Sequence, residues 1–190
     1  MARFSAVLDA CVLVPIAQAD TLLYLAEVGL YRPLWSDRIL QETIRALEAI
    51  HPDMRASGAA RLRAAVMNQA FGDACVEGWG ELLESIELPD KDDRHVVAAA
   101  IQGRADLIVT ANLKDFPARV LGRFNLEVQH PDEFFMNQLD LDPAEVMQSL
   151  QMQAAATCNP PLSVADVLER LERCGTRRFA EAARGQLWRL

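Results

Sequence analysis

Four acidic residues stand where a folded chain could bring their carboxylates together. Asp9 lies inside the apolar segment AVLDACVLV, and Asp115 follows another apolar segment in LIVTANLKDF. Asp93 lies in LPDKDDRHVVAAA and Glu42 in SDRILQET, each within the first turns of a helical pattern. An ionised carboxylate among apolar neighbours is costly unless it is paired or bound to a metal ion. These acids are therefore the first candidates for a chemical role.

A group of carboxylates suits a hard divalent cation. Such cations prefer oxygen ligands, and Mg²⁺ keeps several water molecules while using only a few protein carboxylates. One or two bound ions can orient a water molecule, lower its pKa and stabilise phosphate oxygens during an in-line displacement. The chain offers no other group of residues with comparable chemistry.

Each acid also has a purely structural interpretation. Asp9 could cap the helix that follows its strand, and for this residue alone the two interpretations are balanced. Asp115 could belong to a polar turn before Pro117, and Glu42 could be a solvated helix residue. Taken singly, these two acids favour the structural interpretation. Two strand ends that each deliver a carboxylate are a better signal than either one alone.

The helix start around Asp93 leaves a further alternative open. Acidic residues at a helix N-terminus are favoured by the helix dipole, and Asp90 with Asp93 imitates a capping box. On a helix, Asp93 shares a face with Val97 and therefore points inward at the first turn. Asp90 and Asp92 remain alternatives for any role given to Asp93.

Short apolar segments alternate with helical segments over the first 139 residues. Strands are predicted over residues 3–9, 31–35, 106–110 and 126–130, and residues 82–88 fit a helix end or a strand. Helices are predicted over residues 21–28, 37–50, 56–70, 92–103 and 131–139. This alternation predicts an α/β domain built on a parallel sheet. Because sites in such sheets form at the carboxyl ends of strands, Asp9 and Asp115 are suitably placed.

The composition changes near Leu141, and from there the pattern is only helical. Helices are predicted over residues 143–156, 163–175 and 177–190. We predict an α/β domain over residues 1–140 and a C-terminal helical extension over residues 141–190. The extension carries a basic patch that could bind RNA, pair with the acidic main domain or form an ordinary helix surface: Arg170, Arg173, Arg177, Arg178 and Arg184.

The overall composition excludes several classes of protein. The 190 residues are 51% hydrophobic and 24% charged, which is typical of a globular protein and not of a disordered one. The net charge of −8 argues against a simple basic nucleic-acid-binding module. There is no run of eighteen apolar residues, so neither a membrane span nor a signal peptide is expected. The four cysteines form no close pair, which favours a reduced, cytoplasmic protein.

Taken together, four segments resemble the PIN-domain nucleases in order and spacing, and in particular the VapC-type toxins of bacterial toxin–antitoxin pairs. The segments are VLDACVL, SDRILQET, LPDKDDRHVVAAAI and LIVTANLKDF. The resemblance covers roughly residues 3–139, and the tail with PPLSVADVLERLER is similar to an extension of some members. It implies a three-layer α/β/α sandwich with a central parallel sheet and an acidic pocket that binds Mg²⁺ or Mn²⁺.

The resemblance also implies roles for individual residues. The positions that match the family's catalytic and metal-binding acids are Asp9, Glu42, Asp93 and Asp115. Thr110 and Asn112 match its polar supporting positions. Many relatives have Asn or Ser two residues after the first acid, where this chain has Cys11. Because a thiol is a poor partner for a hard cation, we expect Cys11 to pack or to leave that hydrogen bond to water.

Basic residues flank the predicted acidic pocket. Arg94 and Lys114 each follow one of the site acids and are candidates for contacts with RNA phosphates, as are Lys91 and Arg119. For any one of them alone, a solvated surface position is the simpler interpretation. For His95, the histidine nearest to the pocket, we expect a structural or RNA-contacting role.

The resemblance implies a Mg²⁺-dependent endoribonuclease that acts as the toxin of a type II toxin–antitoxin pair. Its partners would be an RNA substrate, a cognate antitoxin and a second copy of the chain, with no membrane involved. Two alternatives remain open. One is a housekeeping RNA-processing nuclease of the same fold, and the other is a non-catalytic module that binds metal, RNA or protein.

Overall fold

The computed structural model describes residues 4–157 and 160–190. Its sheet consists of five strands in the order β3-β2-β1-β4-β5, and every neighbouring pair is parallel. The strands are β1 (Ser5–Leu8), β2 (Arg32–Ser36), β3 (Cys75–Val76), β4 (Leu107–Val109) and β5 (Glu127–Gln129). The predicted α/β fold class with a central parallel sheet and additional C-terminal helices is confirmed. Arg3, the first residue of the first predicted strand, and Cys158 lie outside the described residues.

Helices connect the strands and continue beyond the last of them. They are α1 (Ala10–Leu13), α2 (Ile16–Glu27), α3 (Asp37–Ile50), α4 (Pro52–Ser57), α5 (Ala59–Ala70), α6 (Arg94–Gln102), α7 (Ala118–Leu121), α8 (Pro131–Leu141), α9 (Pro143–Ala156), α10 (Val164–Arg173) and α11 (Arg177–Arg184). Short 3₁₀ helices span Trp79–Ser85, Leu113–Asp115, Gly122–Phe124 and Leu187–Arg189. In the described ranges, no helix combines the length and apolar character needed to cross a membrane.

The chain forms two compact units. The sheet unit comprises residues 4–14 and 32–129, and the helical unit comprises residues 15–31 and 130–190. Helices α2 and α8 belong to the helical unit, so these units do not follow the predicted sequence boundary between residues 140 and 141. That boundary stays a prediction about domain organisation. Every residue of the predicted acidic site lies in the sheet unit.

The two central strands of the sheet end side by side. All residues of β1 and β4 are buried, as expected for a parallel sheet that is covered on both faces. Leu8 at the end of β1 is paired with Val109 at the end of β4. The next residues, Asp9 and Thr110, are therefore neighbours at the carboxyl edge of the sheet.

Two helices of the sheet unit position Glu42, which lies in α3, and Asp93, which immediately precedes α6. Helix α3 begins where the side chain of Ser36 accepts a hydrogen bond of 3.2 Å from the backbone N–H of Ile39. Helix α6 is buried from His95 to Ala100 and packs against β1, β2 and β4. It ends next to Gly103, where a Cβ atom would lie 2.8 Å from Cγ2 of Val76. The missing side chain lets the end of α6 approach the sheet closely.

Several predicted elements differ from the structure. The helix predicted over residues 177–190 ends at Arg184, and the helix predicted over residues 21–28 already begins at Ile16. The helix predicted over residues 56–70 is interrupted at Gly58, which has a left-handed backbone conformation with φ of +73°. Glycine adopts this conformation without the steric cost that other residues incur, so α4 ends there and α5 begins. The ambiguous segment 82–88 is the end of a 3₁₀ helix followed by extended chain.

The helical unit packs α2 against α9 and α10, and α11 against α8 and α10. Buried polar contacts fix this arrangement, because the Thr21 hydroxyl donates to Oε1 of Gln153 at 2.7 Å. Arginines of the basic patch are paired on the helix surface: Arg173 with Glu169, Arg177 with Glu181 and Arg184 with Glu172. These pairs favour the interpretation of the patch as an ordinary helix surface.

Candidate active site

Asp9 is a buried carboxylate and not a helix cap. The residue is 7% exposed, and although it occupies the N-cap position of α1, its side chain makes no capping hydrogen bond. Its Oδ2 accepts a hydrogen bond of 2.7 Å from the hydroxyl of Thr110. The capping interpretation is therefore wrong, and Thr110 takes the supporting position expected of it.

Cys11 is a second donor to the same oxygen. Its Sγ lies 3.0 Å from Oδ2 of Asp9 and accepts the backbone N–H of Ala111 at 3.3 Å. Burial, together with the charge of Asp9, raises the pKa of the Cys11 thiol to about 12. The sulfur therefore keeps its proton at neutral pH and donates it to the carboxylate. The expectation that Cys11 leaves this hydrogen bond to water is wrong.

Asp115 is fixed by its own loop. It closes the short 3₁₀ helix Leu113–Asp115 that follows β4, and its Oδ2 accepts a hydrogen bond from the side-chain amide of Asn112. The backbone N–H of Asn112 in turn donates to the Thr110 hydroxyl oxygen at 3.1 Å. A chain of hydrogen bonds thus links Asp115 to Asp9 through Asn112 and Thr110.

Asp93 lies close enough to the other acids to be affected by their charges. It occupies the N-cap position of α6, but its side chain makes no capping hydrogen bond. Burial raises its pKa from the ordinary 3.8 to about 6, and the negative charges of Asp9, Asp90 and Asp115 add to the increase. The structure therefore brings Asp9, Asp93 and Asp115 into one acidic group.

The other two acids near this helix start are placed differently. Asp90 is exposed, but its charge still acts on Asp93. The Asp92 side chain is 92% exposed and lies 3.8 Å from the guanidinium of Arg38. Between these two alternatives, Asp90 is the one that the structure connects to the acidic group.

Glu42 is joined to the group through His95. Nε2 of His95 lies 3.1 Å from Oε2 of Glu42, and Nε of Arg38 donates to Oε1 at 3.1 Å. Burial pushes the pKa of Glu42 upward, but the hydrogen bonds and charges of His95 and Arg38 outweigh it and leave the pKa below its ordinary value. Glu42 is thus a paired, half-buried carboxylate and not a solvated helix residue.

His95 has a structural position. It is 1% exposed, so its predicted RNA-contacting alternative is wrong in this conformation, and its structural alternative holds. Its neighbour Arg94 is half-buried, whereas Lys114 is exposed on the loop of Asp115. The RNA contacts of Arg94 and Lys114 stay predictions.

The donor set fits a divalent cation. Asp9, Asp93 and Asp115 offer hard oxygen ligands, and their mutual repulsion is what a positive ion relieves. Among the described residues, no three His, Cys, Asp or Glu side chains form a preassembled metal cage. Such a cage is not needed for Mg²⁺, which binds through one or two carboxylates and completes its octahedron with water and substrate oxygens.

The acids at the carboxyl ends of the central strands lie where sites form in parallel α/β sheets. The chain belongs to the PIN-domain family, whose model matches residues 5–114. A second family model, described as the VapC50 C-terminal domain, matches residues 131–185. The sequence-based identification of a VapC-type PIN protein with a C-terminal extension is confirmed.

The chain is similar to a curated protein of Mycobacterium tuberculosis (strain ATCC 25618 / H37Rv) named "Putative ribonuclease VapC50". The two are 36% identical over 94 residues, which are 50% of this chain and 55% of that protein. The chain therefore matches little more than half the length of this relative. No solved structure matches the chain significantly.

Two features of the site were missed at the sequence level. The donor role of Cys11 was not predicted, because the sequence does not show that its thiol is buried beside the charge of Asp9, which keeps it protonated. The contact between Glu42 and His95 joins residues far apart in the chain. The sequence shows that each residue lies in a family-like segment. It does not show that they pair, because the pairing depends on how α3 is placed next to α6.

Proposed function

We propose that this protein is a metal-dependent endoribonuclease that hydrolyses phosphodiester bonds of RNA and acts as the toxin of a type II toxin–antitoxin pair. The observation that carries the proposal is the acidic group of Asp9, Asp93 and Asp115 at the carboxyl edge of the sheet. Burial and then the charges of Asp9 and Asp115 raise the pKa of Asp93, so the metal-free site holds carboxylates that repel one another. The family and the ribonuclease name of the relative support the reaction class.

The residues of the chain have distinct parts in this mechanism. Asp9, Asp93 and Asp115 would bind the cation, with Glu42 completing the acidic set. Thr110 and Cys11 orient Asp9 by donating to its Oδ2, and Asn112 orients Asp115. His95 and Arg38 keep Glu42 ionised. When bound, Mg²⁺ or Mn²⁺ supplies a Lewis acid that polarises the scissile phosphate and lowers the pKa of an attacking water molecule.

The acidic pocket also bears on the proposed protein partner. A cognate antitoxin that places a basic side chain among Asp9, Asp93 and Asp115 would neutralise their repulsion and block metal and RNA together. We further expect self-association of the toxin, and a cytoplasmic location where cellular RNA is available. These partners rest on the resemblance to VapC proteins.

The direct test is cleavage of cellular RNA by the purified full-length chain in Mg²⁺ or Mn²⁺. We expect cleavage that EDTA abolishes and that Asp9→Asn also abolishes, with an unchanged circular dichroism spectrum. The exposed acid Asp53 on α4 provides a matched control, because Asp53→Asn removes one charge outside the acidic group and its hydrogen-bond partners.

Other outcomes would assign the protein differently. A folded, metal-loaded protein that cleaves no cellular RNA is a binding module instead. Cleavage without growth arrest on expression, or arrest that no neighbouring antitoxin relieves, would favour a housekeeping RNA-processing nuclease.

A further inference from the structure

A cleft separate from the carboxylates opens on the surface of the sheet unit. Its volume is about 400 Å³, which lies within the range of small-ligand sites. Leu88 and Val120 form a largely buried apolar part, with 9% and 8% of their surface exposed. Pro89 and Pro117 add two rigid apolar rings to its wall. Such a lining suits the flat face of a nucleobase.

The cleft adjoins both loops that carry acids of the candidate site. Pro117 follows Asp115 by two residues, so their Cα atoms are at most about 7.6 Å apart. Pro89 immediately precedes Asp90, whose charge acts on Asp93. The cleft therefore begins at the same two loops that hold Asp115 and Asp93.

Two arginines give the cleft its positive charge. Arg119 lies in α7 and Arg123 in the following 3₁₀ helix, and both are exposed. The salt bridges found in the described ranges use other arginines, so neither guanidinium is neutralised there. Guanidinium groups bind phosphate oxygens through paired, charge-assisted hydrogen bonds. One acid, Glu87, lies on the same cleft.

We propose that this cleft is an RNA subsite that holds a nucleotide next to the scissile phosphate, with Arg119 and Arg123 binding its backbone phosphates and the apolar wall receiving its base. The inference rests on the proposed function, since it needs an RNA substrate. It assigns positions for substrate binding that are distinct from the acids that would bind the cation. Glu87 acts against the phosphates and limits the strength of binding.

Salt-dependent RNA binding tests the subsite without any need for cleavage. The probe is a fluorescently labelled single-stranded RNA of mixed sequence, titrated with the full-length protein in EDTA at several salt concentrations. Each phosphate contact adds about 0.7 to the slope of log affinity against log salt for a single strand. We expect the double variant Arg119→Ala/Arg123→Ala to bind more weakly and to lower that slope by about 1.4.

A charge-matched control keeps the test specific. Arg55 and Arg61 are exposed on α4 and α5, away from the cleft lining, so Arg55→Ala/Arg61→Ala changes the net charge equally. This control should retain the wild-type slope. The single variant Glu87→Gln should bind RNA more tightly than wild type, because it removes a negative charge beside the phosphates.

The outcomes separate this proposal from the proposed function. If the Arg119/Arg123 variant keeps the wild-type salt dependence of RNA affinity, the subsite proposal is wrong. The same holds if the control variant loses as much salt dependence. In both cases RNA binding itself is unaffected. A wild-type protein that binds no RNA either in EDTA or with Mg²⁺ removes the substrate and with it both proposals. Tight binding of an isolated nucleoside monophosphate that does not compete with RNA would also overturn the subsite, because the cleft would then serve a free nucleotide.

Discussion

At the scale of single residues, the orientation of the Asp9 carboxylate depends on two hydrogen-bond donors. The Thr110 hydroxyl and the Cys11 thiol both point at Oδ2 of Asp9, at 2.7 Å and 3.0 Å. The hydroxyl is the stronger donor, because the S–H bond is less polar than the O–H bond and a thiol is a weak hydrogen-bond donor. The other carboxylate oxygen is engaged by neither of them. This arrangement leaves Asp9 oriented with one oxygen available for a cation.

Removing the stronger donor should weaken the site without unfolding the protein. Substituting Thr110→Val keeps the shape of the side chain but deletes the hydroxyl, and supporting residues of metal ligands are typically worth about 10–100-fold in affinity or activity. We expect RNA cleavage and Mn²⁺ affinity to fall within that range. Thr110→Ser retains the hydroxyl and should stay within a few-fold of wild type. Equal losses in both variants would contradict this role.

The thiol of Cys11 should be unusually unreactive. Because burial and the charge of Asp9 raise its pKa to about 12, almost none of it is thiolate at neutral or mildly alkaline pH. Alkylation with iodoacetamide at pH 8, followed by mass spectrometry of the peptides, should leave Cys11 unlabelled in the native protein. In urea the same residue should be labelled fully, and rapid labelling of native Cys11 would contradict the buried, protonated thiol.

Some of the site could be predicted from residue types, and some could not. Asp9 and Asp115 were identifiable because acids after buried strands reach the same sheet edge. Glu42 looked solvated, because a helical pattern shows which face a residue occupies but not which partner lies opposite. His95 and Arg38 supply that partner, and the contact with His95 spans separate elements.

At the scale of elements, helix starts were predicted best where a side chain caps them. Ser36 caps α3, and Ser163 with Asp166 forms a complete capping box at α10. These signals are local, so the sequence contains them in full. The two-residue strand β3 and the single-turn helix α1 carry no such signal. Strand β3 forms because it pairs with β2, and α1 forms where the chain leaves the end of β1.

The close approach of α6 to the sheet requires a residue without a side chain at position 103, and this requirement can be tested. A Cβ atom there would lie 2.8 Å from Cγ2 of Val76 and 3.1 Å from Cδ1 of Leu34. Valine cannot move its methyl group away easily, so Gly103→Ala should destabilise the protein by about 1–3 kcal/mol. Urea unfolding followed by circular dichroism measures this change. Gly72→Ala, where an added Cβ meets no atom within 4 Å, is the matched control and should be nearly neutral.

At the scale of the whole molecule, charge is distributed differently in the two units. The helical unit neutralises several arginines with glutamates one helical turn away or on a neighbouring helix. The sheet unit instead leaves acids near one another at its sheet edge, where burial and the charges of neighbouring acids raise the pKa of Asp93. An arrangement that suits a cation is therefore unfavourable to the metal-free fold, as is common for functional sites.

This cost predicts the pH dependence of stability in the metal-free protein. The pKa of Asp93 is about 6 when folded and near 3.8 when unfolded, so the folded state binds more protons between these values. Stability should therefore fall as the pH rises from 4 to 7. Asp93→Asn removes the repelled charge, and in EDTA at pH 7.5 it should be more stable by about 1 kcal/mol, since the half-exposed site is screened.

Thermal unfolding with and without cation completes this test. The gain of Asp93→Asn should vanish near pH 4, where the wild-type side chain is protonated. Asp53→Asn, at an exposed position on α4 outside the acidic group, should bring no such gain. Added Mn²⁺ should raise the melting temperature of wild type more than that of Asp93→Asn, because binding to the folded state alone stabilises it. A variant that is less stable than wild type at every pH would show that Asp93 supports the fold and is not repelled by its neighbours.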